Sequence, residues 1–155
     1  MVKKIIIAIV FLPLALSCGK DNDTVDTVYP SIDISSSGAF PVQCSTIRRG
    51  ESFVFKASFS DNVALGSYGL DIHHNFDHHT HSTEVEECDM GPVKDPENPF
   101  VLIKSVDIPD SPKRYDAAME IEVPADIDPG DYHFMIRVTD KAGWQTMKGL
   151  SIKIQ

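Results

Sequence analysis

With 155 residues and a formal charge of −9, the chain has enough length for one domain with a sizeable core. It is too acidic to favour nucleic acid: 23 aspartates and glutamates stand against 14 lysines and arginines, an excess that repels phosphate and attracts cations. It carries no glycine-rich phosphate loop, no His-Glu-x-x-His helix and no Ser-His-Asp order, so a non-enzymatic protein is expected.

The chain opens Met1-Val2-Lys3-Lys4 and continues in an apolar run from Ile5 to Leu16, with Ser17 and Cys18 behind it. A basic start, a short apolar core and a small residue before the cut have the layout of a secretory signal, and the run is shorter than the roughly 18 residues that a membrane span needs. Leu14-Ala15-Leu16-Ser17-Cys18 resembles the bacterial lipobox. That resemblance implies cleavage before Cys18 and lipid on Cys18, making the membrane a partner through the anchor. The expected organisation is therefore a signal peptide at 1–17, a lipidated cysteine with a flexible acidic tether at 18–28, and one folded domain at 29–155. The tether, Gly19-Lys20-Asp21-Asn22-Asp23-Thr24-Val25-Asp26, has no apolar period. Its acidic run resembles a surface-export signal of Bacteroidetes lipoproteins. Without Lys3 and Lys4 the charge becomes −11. Export also places Cys44 and Cys88 in an oxidising compartment, where a disulfide is the default and metal ligation or two thiols are the alternatives.

From Tyr29 onward short alternating segments are broken by Pro, Gly, Asp and Asn, and no helical period is sustained, which is an all-β pattern. Ile32 and Ile34 mark a first strand. A second runs from Ser52 to Ser60 with Phe53, Phe55, Ala57 and Phe59 on one parity. A third begins near Ser67, with Tyr68, Leu70, Ile72, His74 and Phe76 inward and Asp71, His73, Asn75 and Asp77 outward. Phe100 to Val106 forms the fourth. The fifth turns Tyr115, Ala117, Met119, Ile121 and Val123 inward, and the sixth does so with Tyr132, Phe134, Ile136 and Val138. After a hairpin turn at Asp140-Lys141-Ala142-Gly143, the last strand carries Leu150, Ile152 and Ile154. About seven strands in this length predict an immunoglobulin-like antiparallel β-sandwich. Asp128-Pro129-Gly130-Asp131-Tyr132 has the Asp-x-Gly-x-Tyr layout of a tyrosine corner. Phe134 stands where antibody domains place a cysteine, so any Cys44–Cys88 bond would join peripheral segments.

Five of the six histidines fall within the nine residues His73 to His81. Imidazole is the commonest protein ligand for zinc and also suits copper and nickel, and a nearby carboxylate can ligate or orient a ring. In an Ig-like sandwich the third strand pairs antiparallel with the sixth, bringing the end of one beside the start of the other, where His133 lies. Both His73 and His133 are outward on the alternation. The candidate ligands are therefore His73, Asp77, His79 and His81, with His74, His78 and His133 as further ligands or supporting groups. The competing reading is a solvated polar loop, in which His74 is a core-edge residue with one hydrogen bond and His133 a surface position. Glu84 and Glu86 would be the general-base candidates of a zinc hydrolase, but nothing specifies a substrate pocket. Asp61, Asn62 and Asp140 resemble calcium ligands of cadherin-like modules; the linker motifs of those modules are missing, and Asp and Asn are ordinary turn residues.

The lipobox, the stretch from Leu70 to His81 and the closing Thr139-Asp140-Lys141-Ala142-Gly143 together resemble an uncharacterised family of Bacteroidetes lipoproteins with an Ig-like fold. The resemblance implies the fold, a cell-envelope location and a His/Asp-rich loop, and no activity; the expected place is the outer membrane, surface-exposed or facing the periplasm. The residues themselves predict capture of a transition metal, with zinc foremost, and delivery to an outer-membrane transporter or other envelope protein. A non-catalytic interaction module for a protein or glycan is the alternative.

Overall fold

The computed structural model describes residues 25–80 and 88–155. Its strands are β1 (Ser31–Asp33), β2 (Thr46–Ile47), β3 (Ser52–Ser60), β4 (Leu65–His74), β5 (Leu102–Asp107), β6 (Arg114–Glu122), β7 (Gly130–Asp140) and β8 (Gln145–Ile154). They form two sheets, one ordered β1-β3-β6 and the other β2-β8-β7-β4-β5. This is the expected immunoglobulin-like β-sandwich, with one more strand than the pattern suggested. The addition is β2, two residues long and paired parallel to the end of β8 through Thr46↔Lys153 and Ile47↔Ile154. Two residues are too few to carry an alternation, so no sequence pattern announces it.

The core lies between the sheets and follows the parity of the strands. Phe55 and Phe59 from β3 meet Tyr68, Leu70 and Ile72 from β4 and Tyr132, Phe134, Ile136 and Val138 from β7, all buried. Phe134 fills the place a disulfide would take: its ring stacks on Phe55 at 5.7 Å between centroids. Each such aromatic or aliphatic side chain contributes about 1.5–3 kcal/mol on leaving water. The cost of a register slip keeps the pairing in place, because a slip by one residue would turn this set outward.

The tyrosine corner forms as its spacing predicts. Tyr132 donates its phenol proton to the Asp128 carbonyl at 2.6 Å and accepts from the Phe100 amide at 3.1 Å. That contact also explains why β5 begins at Leu102 rather than Phe100, whose amide serves the corner instead of a ladder. Gly130, at φ +144°, precedes it; a Cβ there would stand 2.8 Å from the Phe76 ring. The β7–β8 hairpin closes at Asp140-Lys141-Ala142-Gly143, with the Trp144 amide donating to Asp140 Oδ1 at 2.8 Å.

Cys44 and Cys88 form a disulfide with Cα atoms 5.5 Å apart. The bond ties the segment before β2 to the long β4–β5 connection, away from the inter-sheet core. Cys44 is also held to β8, its amide donating to the Ser151 carbonyl at 2.8 Å.

Candidate metal centre

The end of β4 and the start of β7 lie side by side, and His73 is the register partner of His133. Strand alternation sends both side chains to the outer face of the five-stranded sheet, opposite the core. Past β4 the chain turns: the His78 amide donates to the Asn75 carbonyl, and His78 itself takes φ +58°. His79 is thereby returned over the sheet, where its carbonyl accepts from His133 Nε2 at 3.1 Å. The three rings pack together, with centroids 5.3 Å apart for His73–His133, 4.7 Å for His79–His133 and 5.7 Å for the nearly parallel His73–His79 pair. One ring nitrogen from each lies within 4.8 Å of the others.

The partners of these rings determine which nitrogen can ligate. Asp71 Oδ1 lies 2.6 Å from His73 Nδ1, and Asp77 Oδ1 lies 2.6 Å from His79 Nδ1. An ionised carboxylate accepts only, so Nδ1 donates in each case and the neutral ring keeps its lone pair on Nε2. By the same logic the His79 carbonyl assigns the proton of His133 to Nε2 and the lone pair to Nδ1. A carboxylate on the far nitrogen is the arrangement that orients ligating imidazoles in metal sites and raises their basicity. The hydrogen bond from His79 also holds the Asp77 carboxyl below its ordinary value, against a smaller opposing effect of desolvation. At a zinc–nitrogen distance near 2.0–2.1 Å, tetrahedral ligands stand about 3.3 Å apart, so three rings that each bring one nitrogen inside 4.8 Å are close to the spacing a single ion needs.

Two expectations change with this geometry. His133 is not a surface residue: it is 0% exposed, because the turn after β4 folds over the outer face and covers it. Asp77 accepts from His79 through Oδ1 and is not among the clustered donors, and Asp71 accepts from His73 in the same way. The role of Asp71 was missed in the sequence, although Asp-x-His occurs twice, at 71–73 and 77–79, and is the signal that would have revealed it. His74 and His78 stay outside the cluster. His74 is half-buried at the core edge against Phe76, as its parity predicts, but its buried Nδ1 has no hydrogen-bond partner. His81, Glu84 and Glu86 lie outside the described residues, as do residues 1–24 with Cys18 among them.

Beside His73 a cavity of about 270 Å³ opens on the outer face, lined by Asp71, Ile103, Met135, Arg137 and Met147 among others. Its rim mixes exposed apolar side chains, Ile103 at 75% and Met147 at 51%, with the charged Lys104 and Arg137.

The class is thus an Ig-like sandwich carrying three clustered histidines on the outside of its larger sheet. Over residues 16–155 the chain matches the family described as Domain of unknown function (DUF4625), and it belongs to that family. No curated protein matches it significantly.

Proposed function

We propose that the protein is a cell-envelope lipoprotein that binds a transition metal, zinc foremost, for capture or delivery to an envelope partner. The observation that carries this reading is the convergence of His73, His79 and His133 within 4.8 Å, two of them backed by carboxylates on Nδ1. Three imidazoles form a borderline-soft, neutral donor set suited to zinc, copper or nickel rather than to calcium or magnesium. His81, two residues beyond His79, is the candidate fourth donor. Support for the envelope location is the signal-like start and the lipobox-like Leu14-Ala15-Leu16-Ser17-Cys18.

The deciding measurement is metal content by plasma mass spectrometry on the intact protein, extracted in mild detergent without a histidine tag, followed by melting with and without EDTA. Near-stoichiometric zinc or copper and a chelator-sensitive melt are expected. No retained metal, and no shift on adding zinc, copper or nickel, would overturn the reading. Incorporation of labelled palmitate that is lost in Cys18→Ala tests the anchor.

The exposed Ile103 and Met147 favour a second reading, an interaction module that meets a protein or glycan through this outer face. Such a module would keep its melting temperature in EDTA and lose its partner when Ile103 becomes Asp.

A further inference from the structure

At the other end of β4 and β7, roughly 23 Å from His133 along the strand, three carboxylates converge. They come from separate parts of the chain: Asp26 from the segment before β1, Asp61 from the β3–β4 turn and Asp140 from the end of β7. One oxygen of each lies within 4.8 Å of the others. Backbone contacts hold all three in place. The Asp26 carbonyl accepts from Trp144 Nε1 at 2.8 Å, Asp61 Oδ2 accepts from the Val63 and Ala64 amides at 2.7 Å each, and Asp140 Oδ1 accepts from the Trp144 amide.

An acidic cluster alone can be nothing more than turn chemistry, but here the second oxygens decide the matter. Asp140 is 4% exposed, and its Oδ2 is buried with no hydrogen-bond partner; Asp61 Oδ1 is buried and unpartnered in the same way. Among the described residues no lysine or arginine forms an ion pair with any of the three. A buried carboxylate oxygen beside two like charges, with neither donor nor cation, is costly unless something positive sits between them. Asp26 is further steadied by Val28 and Asn62, whose backbone and side-chain N–H groups donate to its Oδ1 at 3.0 and 3.1 Å.

We propose that Asp26, Asp61 and Asp140 form a second cation site, specific for calcium, separate from the histidine cluster. Carboxylate oxygens are hard donors that suit calcium rather than zinc. Oxygens on opposite sides of a calcium ion, each about 2.4 Å away, stand about 4.8 Å apart, so three oxygens inside that limit fit one coordination shell with water completing it. The ion would staple the segment carrying Asp26 onto the corner formed by the β3–β4 turn and the β7–β8 hairpin. Calcium would thereby set how the sandwich is held relative to the residues that precede it.

The test uses the intact protein in mild detergent, stripped with chelator and exchanged into metal-free buffer, and then titrated with calcium chloride by calorimetry. Saturable one-site binding is expected in the range of about 10⁻⁴ to 10⁻³ M common to extracellular modules, with a melting temperature raised by several degrees. Asp26→Asn and Asp61→Asn should each weaken calcium binding about tenfold or more, while His79→Ala leaves it unchanged. Asp140 is buried, so its variant reports on folding as much as on binding, and the other two carry the decision. Absence of binding up to about 10 mM calcium would overturn the proposal. Full calcium affinity in both Asn variants would do the same. So would Asn variants that melt higher in stripped buffer while the parent ignores calcium.

Discussion

His73 and His133 face each other across β4 and β7 as direct register partners, their rings 5.3 Å apart on the outer face of the sheet. The pair rests on two long strands whose inward residues form the centre of the core, so its position is set by the fold and not by a loop. His79 is the member delivered by a turn. Metal binding on this cluster would therefore order the turn more than the strands.

Asp71 and Asp77 should tune that site without forming it. Replacing either by Asn keeps the shape but removes the charge that holds the Nδ1 proton of His73 or His79. Zinc affinity, measured by competition with a chromophoric chelator, is expected to fall about 10- to 100-fold in Asp71→Asn and in Asp77→Asn. The metal-free protein should melt close to the parent, since both pairs are part-exposed. Equal zinc affinity in both variants would mean that the carboxylates are ordinary surface partners.

The Cys44–Cys88 bond anchors the far side of the connection that carries His79. A closure spanning 44 residues limits the unfolded chain enough to be worth up to about 4 kcal/mol in the chain-entropy model. A Cys44→Ser/Cys88→Ser double variant is expected to unfold at lower urea concentration by an amount of that order. It should also bind zinc more weakly, because the turn over His133 loses its distal tether. Unchanged zinc affinity at reduced stability would separate the two roles.

Much of the fold was legible because side-chain parity is a strong signal wherever one strand face is buried. Phe53, Phe55, Ala57 and Phe59 define β3 without help from anything distant, and the Asp-x-Gly-x-Tyr pattern places the Tyr132 corner. The juxtaposition of His73 with His133 was legible too, once the sandwich topology was assumed. Burial of His133 was not, since it depends on where the turn after His74 goes, and that path is determined by contacts of the Asn75 amide with the Asp131 carbonyl and of His79 with His133. Asp26 lies in a stretch that reads as a tether, and the contacts of its carbonyl with Trp144 and of its Oδ1 with Asn62 are tertiary ones that leave no mark in the apolar pattern.

The tyrosine corner offers a direct stability test. Tyr132→Phe removes the donor to the Asp128 carbonyl and leaves the buried Phe100 amide without its acceptor. A loss of about 1–3 kcal/mol is expected by urea denaturation. Burial pushes the phenol's pKa up, outweighing the Phe100 hydrogen bond that lowers it. The folded phenol thus keeps its proton at a pH where the unfolded one, near 10, has lost it. This contribution is complete below about pH 10 and fades as pH rises through the folded value. Tyr132→Phe should flatten the alkaline limb of the stability curve.

The acid limb should belong in part to Asp33 and Asp128. The Ser35 hydroxyl and amide hold the Asp33 carboxyl below its ordinary value. At Asp128 desolvation works upward, but the Asn98 and Glu97 amides, each 2.7 Å from Oδ2, together outweigh it, and the carboxyl is again lowered. A depressed folded pKa means that the unfolded chain takes up protons first as pH falls. Stability is then fully present above about pH 4, the unfolded value, and is lost on acidification through the folded value. Asp128→Asn should lower stability at neutral pH and give a shallower decline below about pH 4, since the amide oxygen cannot be titrated there. The measurement is a series of urea melts from neutral to acid. An acid slope identical to that of the parent would show that the two amides gain nothing from the charge, and that the turn at 95–98 is held by the Asn98 side chain on the Asp126 carbonyl instead.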